Sequence, residues 1–163
     1  MKYKKITLIR HAKSSWKHDV TDSKRPLAKR GLKDADLVSK HIKKEFVEPD
    51  VVFSSPANRA LTTCSIFSSN LKIPGHKIKI FNELYDFSGE SVIHFIKSLN
   101  NDYNNVMIFG HNHAFTSISN IFGDKFIDNL PTSGVVIIKF DTDKWESIDK
   151  GQTELIVFPK LLK

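Results

Sequence analysis

With one cysteine in 163 residues, the chain can form no internal disulfide and must be held together by a packed core. A reducing cytoplasm is the expected compartment. Seven glycines and six prolines are scattered along the chain, which excludes a Gly-rich linker or a low-complexity tract. No apolar run approaches the ~18 residues of a membrane span. The first run, residues 6–9, is cut off by Arg10, too soon for the apolar core of a secretory signal. Acidic residues are the minority, 18 against 25 Lys and Arg, for a net charge of +7. That excess favours acidic partners such as phosphorylated substrates. It is spread out, as in Lys40, Lys43 and Lys44, with no dense basic segment interleaved with aromatics. Neither nucleic acid nor a membrane is therefore an expected partner.

What is present is an ordinary globular balance, 40% apolar and 26% charged, suited to a single domain over residues 1–163. Strands are predicted at residues 4–9, 51–54, 77–81, 105–109 and 135–140, with residues 154–158 as a sixth at the edge before Pro159. The first, second and fourth are continuous apolar runs, as in strands covered on both faces. Helical stripes lie between them. Leu32, Ala35, Val38, Ile42 and Phe46 make the first. Ala57, Ala60, Leu61, Cys64, Phe67 and Leu71 make the second, with Ser55 as N-cap and Pro56 at its first position. Val92, Ile93, Ile96 and Leu99 make a third, and Phe115, Ile118, Ile121 and Phe122 a fourth that ends at Gly123. Strands alternating with helices predict a three-layer α/β/α sandwich with a central, mostly parallel sheet of five to six strands.

In an open parallel sheet, ligands bind at the carboxyl ends of the strands. Polar clusters fall there. Arg10-His11 follows the first strand, Ser54-Ser55-Pro56-Ala57-Asn58-Arg59 the second, Glu83 the third, and Gly110-His111-Asn112-His113 the fourth. Any one of these residues alone has an ordinary structural explanation; their convergence on neighbouring strand ends points to phosphate. Arg10 suits a tetrahedral oxyanion through its paired donors, and Arg59 lies near the positive end of a helix dipole. A neutral imidazole at His11 or His111 can attack phosphorus, and the other, protonated, would add positive charge. Glu83 is the candidate general acid and base, ahead of Asp86 and Glu90. Lys13, Ser14, Arg25 and Asn112 are candidate substrate-binding residues, with Ser15 and Trp16 completing the loop over the site. Zinc ligation by His11, His111 and His113 lacks an acidic or thiolate partner, since Cys64 sits on an apolar stripe. No metal and no cofactor is expected. Ser55 lacks the G-x-S-x-G elbow of a serine hydrolase.

The run Leu8-Ile9-Arg10-His11-Ala12-Lys13-Ser14-Ser15-Trp16 resembles the signature of the histidine phosphatase (phosphoglycerate mutase-like) superfamily, and within it the SixA-type phosphohistidine phosphatases. Arg25-Pro26-Leu27 with Arg30-Gly31, Ser54 to Ala60, Glu83-Leu84-Tyr85 and Gly110-His111-Asn112 follow in the same order, so the resemblance spans essentially the whole chain. It implies a phosphoglycerate mutase-like fold and metal-independent phosphoryl transfer through a phosphohistidine intermediate. His11 would be the nucleophile, Arg10, Arg59 and His111 would complete the phosphate pocket, and Glu83 would be the acid. Ala12 stands where the wider superfamily usually has Gly, which suits this branch. His113-Ala114 stands where the branch commonly has Pro-Gly. The longest connection, between Trp16 and Leu27, is short for a roof over the pocket, so the expected substrate is a phosphorylated protein, such as a phosphohistidine domain. Two alternatives stay open: a phosphatase of small phosphate esters or anhydrides, and a non-catalytic phospho-binding module. A monomer is expected.

Overall fold

The computed structural model describes residues 2–163. Six strands, β1 (Lys4–Arg10), β2 (Val51–Ser54), β3 (Ile78–Ile80), β4 (Asn105–Gly110), β5 (Val135–Phe140) and β6 (Gln152–Val157), form one sheet in the order β3-β2-β4-β1-β5-β6. β1 to β4 run parallel, β5 is antiparallel to β1, and β6 is antiparallel to β5. The sheet is thus mostly parallel, with β5 alone reversed. That reversal brings the start of β5, where Val135 pairs with Ile9, to the edge at which β1, β2 and β4 end.

Alternation along the strands sorts the two faces. Ile6, Leu8, Val51, Phe53, Val106 and Ile108 enter one core with Val92 and Ile96 of α3 (Glu90–Lys97) and Phe115 and Ile118 of α4 (Ala114–Phe122). Ile9, Val52, Met107 and Phe109 enter the other, with Ala35, Val38 and Ile42 of α1 (Lys29–Ile42) and Cys64, Phe67 and Leu71 of α2 (Asn58–Leu71). Three layers result. Both faces of the central strands are dry, which is why their sequences are continuously apolar.

Helix ends and faces differ from the sequence expectation in instructive ways. Leu32 is 45% exposed, and Gly31 takes the inward position. A Cβ on Gly31 would stand 2.2 Å from the carbonyl oxygen of Lys13. Glycine therefore lets α1 press against the backbone of the loop that carries Lys13 and Ser14. α1 stops at Ile42, and Phe46 packs on that core from beyond its end. α2 begins at Asn58 with Ala57 at its cap, so Ser55 is not the N-cap. Gly123 does end α4, but its backbone is extended (φ −84°); a Cβ there would lie 2.3 Å from Thr153 Oγ1. Among the described residues, no helix is long and apolar enough to cross a membrane.

Candidate active site

His11 directly follows β1 and is clamped by its neighbours. Its amide donates to the Gly110 carbonyl at 3.0 Å, and the Ser133 amide donates to the carbonyls of Arg10 and His11, each at 3.2 Å. The ring is buried, with Nδ1 2.8 Å from the Ala12 carbonyl oxygen. A carbonyl only accepts, so Nδ1 carries the proton and Nε2 keeps its lone pair. Burial pushes the imidazole pKa down to about 4, against the Ala12 hydrogen bond and with help from the Arg59, Arg10 and Arg25 charges. The ring is neutral at physiological pH.

Arginines surround it. Arg59, in the first turn of α2, is buried and donates through Nη1 to the Asp22 carbonyl (2.7 Å) and through Nη2 to the Asp22 carboxylate (2.9 Å). Arg10 Nη1 donates to the Leu130 carbonyl at 2.8 Å. The Nε atoms of both are buried without a partner among the described residues. Arg25 donates to Ser14 Oγ and, through Nε at 3.2 Å, to Asp22, while its guanidinium lies 3.7 Å from the centre of the Trp16 ring.

These side chains line a cavity of about 260 Å³ together with Lys13, Ser14, Phe87, Asn112 and Thr132. Its charge is lopsided: the cations Arg10, Lys13, Arg25 and Arg59 face one carboxylate, Asp22. Burial and the neighbouring Arg59 charge lower the Arg10 pKa. Unpaired donors among crowded cations favour a bound oxyanion, which would satisfy both.

His111 lies behind His11, fully buried, with the two ring centroids 5.3 Å apart. Tyr85 and Phe87 cover it at 5.3 and 5.1 Å. Its Nε2 is 2.8 Å from Ser55 Oγ, which also accepts from the Ala57 amide at 3.2 Å, and its Nδ1 has no partner among the described residues. Burial pushes its pKa down to about 3, with the His11 and Arg59 charges adding to the effect and Asp22 opposing it. Both imidazoles are therefore neutral near pH 7.

The structure gathers Arg10, His11, Lys13, Ser14, Arg25, Arg59 and Asn112 around one cavity, with His111 against His11. It does not bring Glu83 there. Glu83 sits on the short 3-10 turn Asn82–Leu84, whose buried residue is Leu84, and it faces a separate hollow beside Phe53, Lys79 and Phe81. The carboxylate in the cavity is Asp22, which the sequence reading missed. Its one signal was the three-residue spacing to Arg25. The Tyr85 hydroxyl donates to it, and this bond, with those from Arg59 and Arg25, holds its pKa at about 2. Asp22 thus stays ionised and braces the arginines. Asn112 lines the cavity while its Oδ1 accepts from the Thr116 amide (3.0 Å) and hydroxyl (2.9 Å). His113 is exposed at the N-cap of α4. Burial raises the Cys64 thiol to about 11, which suits packing and not nucleophilic attack. Among the described residues, no three His, Cys, Asp or Glu side chains form a group able to hold a metal ion.

Residues 6–91 match the histidine phosphatase superfamily (branch 1), and the chain belongs to that family. An uncharacterized protein of Mycobacterium tuberculosis is 23% identical over 160 residues, covering 92% of this chain and 98% of its own. An uncharacterized chloroplastic protein of Arabidopsis thaliana is 25% identical over 154 residues, covering 88% and 69%. Among solved structures, the protein histidine phosphatase SixA complexed with tungstate matches with a TM-score of 0.82 at 22% identity, over 98% of this chain and 99% of that one. A phosphoglycerate mutase of Bacillus anthracis matches at 0.69 with 13% identity, over 99% and 96%. These likenesses show the phosphoglycerate mutase-like α/β fold.

Proposed function

We propose that this protein is a phosphatase that takes a phosphoryl group onto His11 Nε2 and hydrolyses it, acting on phosphohistidine in a protein. The observation that carries the proposal is His11 itself: buried, neutral, with its proton fixed on Nδ1 by Ala12, beside a cavity lined by three guanidiniums. A structural neighbour, the protein histidine phosphatase SixA, is complexed with tungstate, a tetrahedral oxyanion, which supports reading this cavity as an oxyanion site.

The steps follow from these roles. Arg10, Arg25 and Arg59 hold the phosphoryl oxygens while Nε2 attacks in line. The Nε2–P bond forms, the bond to the leaving nitrogen breaks, and that nitrogen takes a proton from water. Phospho-His11 keeps its Nδ1–H, so the ring bears positive charge, which the Ala12 carbonyl stabilises. As the bound dianion offsets the arginine charges, it draws the His111 pKa upward and lets that ring donate to a phosphoryl oxygen. Water then attacks phosphorus, releasing inorganic phosphate and restoring Nε2. With Glu83 outside the cavity, the scheme uses no carboxylic acid, and the phosphoramidate bond is labile enough to need none. Comparing kcat/KM for phosphohistidine, phosphoserine and a sugar phosphate, with chelator present, tests this reading. Phosphohistidine should lead, and His11→Ala should lose activity by about 10³-fold or more. A sugar phosphate in the lead would select the small-ester reading, and binding without phosphate release would select a binding module.

A further inference from the structure

Two large aromatic rings at the cavity stand in water. Trp16 is 76% exposed and Phe87 47%, and both line the same hollow as Arg10 and His11. Neither belongs to the hydrophobic cores. Each is nevertheless fixed in place. Trp16 has one face covered by the Arg25 guanidinium, itself anchored to Ser14 and Asp22, so its remaining surface is left free. Phe87 stands on the His111 side, 5.1 Å from that ring and 5.4 Å from Tyr85. Folding gains most from burying such rings, so two exposed ones beside a strongly polar pocket call for a ligand. The phosphoryl oxygens are served by the arginines. What remains for the rings to touch is the part of the substrate beyond phosphorus.

We infer that Trp16 and Phe87 form a platform for a planar π-ring bonded directly to the transferred phosphoryl group. The rings with this chemistry are the imidazole of a phosphohistidine and the phenol of a phosphotyrosine. The inference rests on the phosphatase reading above. Stacking asks for a flat face and no particular donor pattern, which these two side chains supply and an alkyl leaving group cannot use. During transfer the N–P or O–P bond to the ring breaks as the Nε2–P bond to His11 forms. The departing ring atom takes its proton from water at the open mouth, and stacking holds the ring in line until then.

The test compares kcat/KM for phosphohistidine, phosphotyrosine and phosphoramidate, whose leaving group is ammonia, in the wild type, Trp16→Ala, Trp16→Phe and Phe87→Ala. The readout is each ring substrate's preference over phosphoramidate. In Trp16→Ala that preference should fall about tenfold or more, the size of one lost stacking contact. Trp16→Phe should keep most of it, and Phe87→Ala should lose part. A fall confined to phosphohistidine, or to phosphotyrosine, supports the platform and identifies the ring. Preferences that stay within about twofold of wild type in both alanine variants would refute the platform, while wild-type turnover of phosphoramidate leaves the phosphatase reading standing. Wild-type turnover of none of the three would refute that reading itself, and the platform with it.

Discussion

His11 is ready to attack because burial keeps a proton off it and the Ala12 carbonyl decides which nitrogen is free. An NMR titration of the folded protein should find the His11 ring neutral down to a midpoint of about 4, well below the ordinary value near 6.5. Arg59 is buried and aimed at the cavity, so Arg59→Ala should lower kcat/KM by about 10²–10³-fold, read by steady-state kinetics. Ser55 is not among the residues that line the cavity but fixes His111 through Nε2. Ser55→Ala should lower kcat by about tenfold with little change in KM, the mark of a positioning residue. The residues that end an apolar run were legible in the sequence, since the run itself fixes where Arg10, His11 and His111 stand. Asp22 and Tyr85 were not. They meet across 63 residues of sequence, on loops whose paths no hydrophobic period dictates.

Among the elements, α1 is the one whose packing reaches the site. Its inward stripe runs through Gly31, Asp34, Ala35, Val38, Ser39 and Ile42, not through Leu32. Periodicity alone favours Leu32 because it is the larger apolar residue. The backbone of Lys13 lies so near that only glycine fits at the adjacent position, and a polar loop gives no advance sign of such an approach. Gly31→Ala should therefore cost about 1–3 kcal/mol in denaturant unfolding and also lower kcat/KM, because the Lys13-Ser14 backbone must shift. Leu32→Gln should stay within about 0.5 kcal/mol of wild type. Ser55 was likewise misjudged at this scale. A serine immediately before a proline has the look of an N-cap, and only the fold shows that β4 delivers His111 to it.

At the scale of the whole molecule, both buried histidines tie stability to pH. Their folded pKa values are about 4 for His11 and about 3 for His111, against 6.5 for an ordinary ring. Between pH 6.5 and 4 the unfolded chain binds more protons than the folded one, so stability drops as pH falls through that window and is complete above it. Thermal unfolding should show a flat Tm near neutral pH and a decline from about pH 6.5 downward, shallower in His111→Gln. The layered architecture was legible because dry central strands and striped helices both leave their period in the sequence. The reversal of β5 was not, since an apolar run reads alike in either direction, yet it brings Leu130 and Thr132 to the site. The central claim is that the phosphoryl group passes through His11. Quenching the enzyme during turnover of a phosphohistidine protein and mapping the adduct by mass spectrometry tests it most directly. One phosphoryl group on His11, acid-labile and absent from His11→Asn, is the predicted result. Wild-type turnover by His11→Asn, or an adduct on any other residue, would contradict it.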